Sequence, residues 1–448
     1  MKIRFWGTRG SLPKPGPTTL RYGGNTSCVE VRTDDGTLLV FDCGTGSHNL
    51  GQALQASGEG PVRGHLLISH THWDHIQGFP FFRPLFVAEN EWDIYAPGGM
   101  GQALETTLAG QMSYTYFPVS LDQLGATIRY HDLTEGTFEI GPARVTAQYL
   151  NHPALALGYR VEVGGVSMVY STDHEPHEAC PASERGSDGV EPVHAEDRRH
   201  VAFLVGADLV IHDSQYLDRE YAEKKGWGHT TVEWSVDYAL AARAKRLVLF
   251  HHEPLRDDDG LDLVLAMARE RAGASLEVIA AFEGQVIELP EQSTEVSVGG
   301  GQKAGAAPPT AGPVDALPTV LIADDDMGIL LLLQTTLRNE GLRLLTASDG
   351  ESALRIARQE RPDLILIDWH MPGRDGLSVC RAVRADPNPE ISETPIVLIT
   401  AQAGHENTAM GFAAGATDYL TKPFVPPHLR TRVRSWLMRT GAVSAGQD

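Results

Sequence analysis

The sequence predicts an α/β chain in two differently organised parts. Over residues 1–290 short strands and helices are mixed in an order that suits two sheets flanked by helices. From Pro318 onward near-continuous apolar strands alternate regularly with helices, the pattern of a parallel sheet covered on both faces. Between the two, at about 291–317, Gly299-Gly300-Gly301, Ala304–Pro309 and Ala311-Gly312-Pro313 offer almost nothing to bury and read as a flexible linker. A length of 448 residues allows two or three domains with separate cores, and no internal repeat is visible.

In the first part Ile3–Trp6, Cys28–Arg32, Thr37–Asp42 and Leu66–Ser69 read as strands, divided by glycine-rich turns such as Tyr22-Gly23-Gly24-Asn25 and Cys43-Gly44-Thr45-Gly46. Val145–Tyr149, Tyr159–Val163, Val166–Tyr170, Leu209–His212 and Arg246–Phe250 continue the series. Apolar spacings of three and four predict helices at about 48–57, 216–225, 231–243 and 260–272. Residues 175–200 are acidic and turn-rich, with Pro176, Pro181, Gly186, Gly189 and Pro192, and read as a surface loop that is either a plain solvated excursion or a substrate lid. In the last part strands at 319–323, 343–347, 363–367, 395–399 and 417–420 alternate with helices near 327–340, 350–360, 375–385, 405–415 and 426–438. The expected domains are therefore 1–290 and 318–440, with a tail at 441–448.

The net charge of −21 is unevenly spread. Residues from 318 onward hold 13 Lys+Arg against 16 Asp+Glu, which leaves 24 against 42, a net of −18, for residues 1–317. So acidic a surface, without a Lys/Arg-rich run, argues against long nucleic acid as a partner. No stretch approaches the roughly 18 apolar residues of a membrane span. Met1–Trp6 alternates like a strand and has no apolar signal-peptide core. Four cysteines, Cys28, Cys43, Cys180 and Cys380, stand without paired spacing, which fits a cytoplasmic protein with no cysteine metal site.

The densest chemistry is His70-Thr71-His72-Trp73-Asp74-His75, directly after the apolar run Leu66-Leu67-Ile68. Packing gives no reason to crowd three histidines and a carboxylate at a strand end, whereas imidazole and carboxylate are ligands for zinc and similar ions. His152, Asp173 and His251 also follow apolar strands, so four strand ends carry candidate ligands. A two-metal hydrolase needs about seven protein ligands, and these strand ends offer that number.

These motifs, with Asn151-His152-Pro153, Tyr170-Ser171-Thr172-Asp173, Gly228-His229-Thr230-Thr231 and Leu249-Phe250-His251 in that order, resemble the metallo-β-lactamase-fold hydrolases, most closely the ribonuclease Z and phosphodiesterase branch. The resemblance covers most of residues 1–290 and implies an αββα sandwich with metals at one edge of the two sheets. It implies that His70, His72 and His152 hold one metal, that Asp74, His75 and His251 hold the second, and that Asp173 bridges them. His252 is the neighbouring alternative to His251. The resemblance gives Asp74 a part in orienting the nucleophile and sets His229 near the leaving group, where it can act as a proton donor. The all-His/Asp shell suits zinc, with manganese and iron as alternatives. Two features depart from relatives. The flexible arm by which ribonuclease Z grips tRNA has no room in the short path from His152 to Asp173, and diiron oxygen-reducing members have Glu where this chain has His72. A small phosphodiester is the expected substrate, with lactone or carboxylic ester hydrolysis, or a non-catalytic metal-bound sensor or docking module, as the alternatives. The turn Gly7-Thr8-Arg9-Gly10-Ser11 could meet a phosphate through its N–H groups or Arg9.

In the last part Asp324, Asp325 and Asp326 follow one strand, Asp368 ends another, Thr400 ends a third, and Lys422 follows Tyr419-Leu420-Thr421. In a parallel sheet these ends share one edge, where grouped carboxylates call for a cation such as Mg²⁺. With Asp368-Trp369-His370-Met371-Pro372-Gly373 the stretch 318–440 resembles a response-regulator receiver domain. That resemblance implies a doubly wound (βα)5 fold of strand order 2-1-3-4-5 with Asp368 as phosphoacceptor. It further implies Asp324, Asp325 and the His370 carbonyl as Mg²⁺ ligands, Thr400 and Tyr419 as the switch pair, and Lys422 as the phosphate-binding lysine. The phosphodonor is then a histidine kinase or a small acyl phosphate. Control of the hydrolase would act through docking of the two domains or through a homodimer.

Overall fold

The computed structural model describes residues 1–58, 60–98, 104–177, 195–290, 317–338, 340–400, 410–422, 424 and 426–439. The expected linker up to residue 316, most of the acidic loop (178–194), the start of the helix expected near 405–415 and the tail at 441–448 lie outside those residues. The chain divides into two compact units close to residue 310. No helix among the described residues is long and apolar enough to cross a membrane.

The first unit is built on two seven-stranded sheets. Its strands in chain order are β1 (Lys2–Gly7), β2 (Cys28–Arg32), β3 (Leu38–Phe41), β4 (Arg63–Leu67), β5 (Glu91–Pro97), β6 (Thr127–Leu133) and β7 (Gly136–Ile140), then β8 (Ala143–Tyr149), β9 (Leu157–Val163), β10 (Val166–Ser171), β11 (Leu209–Asp213), β12 (Arg246–Phe250), β13 (Glu277–Ala280) and β14 (Val286–Glu288). The sheet orders are β14-β1-β2-β3-β4-β5-β6 and β13-β12-β11-β10-β9-β8-β7. Strands β3 to β6 run parallel in the first sheet and β10 to β13 in the second. Aromatic side chains join the inner faces: Phe5 meets Phe250 at 6.0 Å, and Phe41 meets Tyr170 at 5.2 Å and Tyr159 at 5.9 Å between ring centroids. The outer face of one sheet packs Leu38, Val40 and Leu66 against the helix Ser47–Ala56 through Leu50 and Leu54. The other packs Val210, Leu247 and Leu249 against the helices Val232–Ala241 and Asp258–Ala272. The result is the four-layer αββα sandwich the resemblance implied.

Capping explains where the outer helices start. Thr231 accepts from Trp234 N at 3.2 Å, and Asp257 accepts from Gly260 N at 2.8 Å. Three sequence expectations need correction. The helix expected at 216–225 shortens to Asp218–Tyr221, because Tyr221 Oη and Gly226 N are drawn to the Glu175 carboxylate at 2.7 and 2.6 Å. The final part of the expected acidic loop is instead the start of a helix, Ala195–Leu204, whose Val201, Phe203 and Leu204 are buried on the second sheet. Strands β5, β6, β7, β13 and β14 and the helix Leu104–Gln111 were not foreseen. Strand β6 is held by polar cross-strand pairs such as His131–Asp93 (2.8 Å) and Arg129–Glu91 (2.8 Å) rather than by apolar alternation, so its periodicity is weak.

The second unit is a five-stranded, all-parallel sheet of β15 (Thr319–Ala323), β16 (Arg343–Ala347), β17 (Leu364–Asp368), β18 (Ile396–Thr400) and β19 (Asp418–Thr421), in the order β16-β15-β17-β18-β19. This is the expected 2-1-3-4-5 winding. Successive strand residues alternate between two cores. Leu321, Ile365, Ile367 and Leu398 face the helices Gly350–Glu360 and Gly376–Arg384, while Val320, Ile322, Leu366 and Ile399 face Met327–Leu337 and Pro426–Arg439.

Trp92 on β5 is fully buried edge-to-face against Phe82 at 5.0 Å, and Gly64 opposite it on β4 leaves the room its ring needs, since a Cβ there would fall 2.5 Å from the indole. Trp92→Ala is expected to cost the first unit about 3–5 kcal/mol, read as a lower urea midpoint by circular dichroism.

Candidate metal centre and phosphoacceptor site

Strands β3, β4, β8, β10, β11 and β12 all end at one edge of the sandwich, and the candidate ligands stand just beyond those ends. Three residues there, Asp42, Asp173 and His251, hold left-handed backbone with φ of 58°, 55° and 59°. Such a conformation costs a non-glycine residue roughly 1–3 kcal/mol and is kept where the surroundings demand it. Here each turns a side chain back over the sheet edge.

Asp173 is the centre of the arrangement. Its Oδ2 lies 3.6 Å from His70 Nε2 and 3.9 Å from His152 Nε2, while its Oδ1 lies 3.3 Å from both His75 Nε2 and His251 Nε2. Asp74 Oδ2 faces the second set, 3.2 Å from His75 Nε2 and 3.1 Å from His251 Nε2. His72 joins the first set, with its Nδ1 3.0 Å from His152 Nε2. Potential ligand atoms of His70, His72 and His152, and of Asp74, His75 and His251, each lie within 4.8 Å of one another. The seven expected ligands are thus gathered in two groups that share Asp173.

The remaining ring nitrogens are held from behind. His75 Nδ1 donates to Asp42 Oδ2 (2.7 Å) and His152 Nδ1 to the Gly228 carbonyl (2.9 Å), while His251 Nδ1 meets Gln215 Oε1 (3.0 Å) and His70 Nδ1 meets Ser69 Oγ (3.2 Å). These contacts fix the tautomer that leaves Nε2 a lone pair, as the outer groups of metal-bound histidines do. Gly228 must be glycine: its φ is 88°, and a Cβ would fall 2.1 Å from His152 Nδ1.

These residues fit divalent cations. His70 Nε2 and His75 Nε2 are buried and have no hydrogen-bond partner, a costly state for a nitrogen unless an ion occupies the space between them. Burial, then the neighbouring His75 and His72, holds His70 well below its ordinary pKa, and burial does the same for His152, so both are neutral and able to coordinate. Burial works against the charge on Asp173, but His251 and His75 outweigh it and keep the carboxylate ionised.

His229 stands between the rings of His152 (5.6 Å) and His251 (5.0 Å), with its Nδ1 3.1 Å from Asp213 Oδ2. Burial opposes its charged form, yet Asp213 and Asp173 raise its pKa to about 9. Asp213 was not foreseen; it also accepts from Gln215 N at 3.0 Å, and so serves both His229 and the Gln215 behind His251. Asp42 and Glu175 were missed as well: Asp42 follows an apolar strand as the ligands do but stands alone, and Glu175 is one carboxylate among many in an acidic stretch. So were His200 and His212, which face each other at 2.9 Å beneath His174. Of the neighbouring pair, His251 faces the cluster while His252 donates away from it, to the Ala281 carbonyl at 2.8 Å. Arg9 is not open to a phosphate. Its guanidinium is buried and donates to the carbonyls of Gly23, Glu253 and Arg256. The adjoining Ser11 N donates to Asp74 Oδ2 at 2.7 Å, so this turn braces the cluster.

In the second unit the strand ends also converge. Lys422 Nζ donates to Asp324 Oδ2 (2.7 Å) and Asp368 Oδ1 (2.5 Å), and His370 N donates to Asp368 Oδ2 (2.7 Å). Burial opposes the charge on Lys422, but its bonds to Asp324 and Asp368 raise its pKa. Asp325 is exposed beside buried Asp324, and Asp326 caps the next helix by accepting from Gly328 N at 2.7 Å. Thr400 is buried at the end of β18, where its carbonyl accepts from Lys422 N, and half-buried Tyr419 meets Phe412 edge-on.

Asp42→Asn tests the bracing of His75. It is expected to weaken divalent-metal retention about 10–100-fold. Metal content after dialysis against graded chelator reads the loss, and an unchanged unfolding midpoint of the metal-free protein separates it from misfolding.

Comparison with known proteins agrees with both halves. A family model described as a beta-lactamase superfamily domain matches residues 37–252, and one described as a response regulator receiver domain matches residues 320–434. The DNA-binding response regulator MtrA of Mycobacterium tuberculosis is 42% identical over 120 residues, which are 27% of this chain and 50% of that protein. The chain spans about half the length of the curated relatives it matches. Among solved structures, the metallo-beta-lactamase fold protein YhfI from Bacillus subtilis shares 19% identity over 64% of this chain and 98% of its own, with a TM-score of 0.44. Chemotaxis response regulator CheY4 of Vibrio cholerae shares 34% identity over 27% of this chain and 99% of its own, with a TM-score of 0.26. The chain joins a domain of the beta-lactamase superfamily to a response regulator receiver domain.

Proposed function

We propose that the first domain is a dinuclear metal-dependent hydrolase acting on a small phosphodiester, and that phosphorylation of Asp368 controls it. The observation that carries the hydrolase reading is Asp173, whose two oxygens face two different histidine sets, 3.6 Å from His70 on one side and 3.3 Å from His75 and His251 on the other. In this reading His70, His72 and His152 hold one cation, Asp74, His75 and His251 hold the other, and Asp173 serves both. Zinc suits these ligands best. Bound there, the two cations supply Lewis acidity toward a phosphoryl oxygen and lower the pKa of a water.

The chain's own groups do the rest. Asp74, braced by Ser11 N, orients the attacking water. His229, fixed through Nδ1 by Asp213, keeps its other nitrogen to carry a proton to the departing oxygen. In the receiver, Asp324, Asp325 and the His370 carbonyl hold Mg²⁺, Lys422 holds the phosphoryl group on Asp368, and Thr400 and Tyr419 respond to it. Phosphorylation there adds roughly −1.5 to −2 charges at the sheet edge. The donor is a histidine kinase or a small acyl phosphate.

The zinc-loaded protein is expected to hydrolyse bis-p-nitrophenyl phosphate or a cyclic nucleotide. His70→Ala/His72→Ala should lower that rate by more than about 100-fold, beyond what losing one bracing group does. Activity confined to a panel of lactones would replace the phosphodiester reading, and no turnover on either panel would leave a metal-bound docking module. His229→Ala should lower kcat about 10²–10⁴-fold with metal content intact. For control, acetyl phosphate should change the hydrolysis rate or the oligomeric state of the wild type and leave Asp368→Asn unchanged. Identical rate, oligomeric state and partner binding in both proteins, with and without the donor, defeats the regulatory part.

A further inference from the structure

Trp73 and Trp227 flank the candidate metal centre in the chain, and both are exposed, at 75% and 56%. Their positions are tied to one imidazole. Trp73 follows His72, whose Nδ1 lies 3.0 Å from His152 Nε2. Trp227 precedes Gly228, whose carbonyl accepts from His152 Nδ1 at 2.9 Å. Each indole is therefore one residue away from a group that touches His152, and the two groups meet its two opposite ring nitrogens. Indole gains much from burial, so two indoles more than half exposed, each next in the chain to a group on His152, mark a surface for a ligand.

Charge on that rim agrees. Lys224 Nζ lies 4.3 Å from the Trp227 ring centroid and 5.9 Å from that of Tyr216, which is itself 5.8 Å from the His229 ring. A cation thus stands on the path from His229 outward, in a part of the chain whose net charge is −18 over residues 1–317. The segment is held in place, because the Glu175 carboxylate accepts from Gly226 N at 2.6 Å and Gly228 N at 2.8 Å, on either side of Trp227. The aromatic surface is set before a ligand arrives.

We propose that Trp73 and Trp227 form an aromatic rim that takes the base of a nucleoside phosphodiester, with Lys224 drawing its anionic part toward the cluster. This rests on the phosphodiester reading and names its substrate class. Stacking on indole is tolerant of base identity, since every base has a π-face, so the rim distinguishes nucleotides from base-free phosphate esters more than it distinguishes bases.

The test compares ligands that differ only in the base. Calorimetric titration of the zinc-loaded full chain with AMP and with ribose 5-phosphate is expected to show about ten-fold tighter binding of AMP, the scale of one stacked base. Trp73→Ala and Trp227→Ala should each remove most of that preference while leaving ribose 5-phosphate binding within about two-fold, and Trp73→Phe and Trp227→Phe should keep it, because a phenyl ring still stacks. Equal binding of AMP and ribose 5-phosphate by the wild type, or survival of the preference in either alanine variant, overturns the rim. Hydrolysis of 2′,3′-cyclic AMP and glycerol 1,2-cyclic phosphate, run in parallel, separates this from the parent reading. Turnover of both without a base preference in binding defeats the rim alone, and a base preference without turnover of either defeats the phosphodiesterase reading alone.

Discussion

A buried carboxylate is the constraint on which the first domain depends. Asp173 is almost wholly removed from water, and an ion so placed costs several kcal/mol unless opposite charge and hydrogen bonds surround it. Here five imidazoles face it, those of His70, His152 and His229 toward one oxygen and those of His75 and His251 toward the other, and four of them are positioned by a group outside the cluster: Ser69 for His70, Asp42 for His75, Gly228 for His152 and Gln215 for His251. Those outer groups come from four different strand ends or loops. The cluster and the sandwich therefore constrain each other, because moving any strand end shifts one imidazole and leaves a buried nitrogen or carboxylate without its neighbour.

Topology makes this convergence possible. Parallel strands bring their ends to the same edge, and the antiparallel hairpin β8–β9 returns the chain so that His152 comes to that edge as well. Left-handed backbone at Asp42, Asp173 and His251 then aims each side chain inward. The receiver uses the same device with a simpler sheet. Its five strands are parallel, so Asp324, Asp368, Thr400 and Lys422 meet at one edge without any strained residue among them. One lysine there neutralises two carboxylates that would otherwise repel each other.

Much of this was legible before any coordinates. Seven ligand-type residues within or just after apolar strands, at His70–His75, His152, Asp173 and His251, announce themselves because packing has no use for them there. The described strands of the receiver were legible, since its central strands, apolar and buried on both faces, leave a continuous run. Strands β5 to β7 were illegible for the opposite reason. An edge strand such as β6, with charged pairs on its exposed side, has no periodicity to detect. The bracing residues Asp42, Asp213, Gln215 and Glu175 were not read from the sequence, because their partners are distant in it: Asp42 and Asp213 stand at strand ends as the ligands do, and a lone carboxylate there looks the same whether it binds an ion or orients an imidazole.

The sequence by itself determined the two fold classes, the order of the domains and the identity of the residues gathered at each site, because those follow from apolar periodicity and from side-chain chemistry at strand ends. Tertiary structure alone decided the choice of His251 over His252, which share every local signal and differ only in the direction a left-handed residue turns them. It also decided that Arg9, which as sequence looked free to meet a phosphate, is spent on three carbonyls. Both outcomes depend on where a side chain points after distant segments have packed, and a linear pattern carries no such direction.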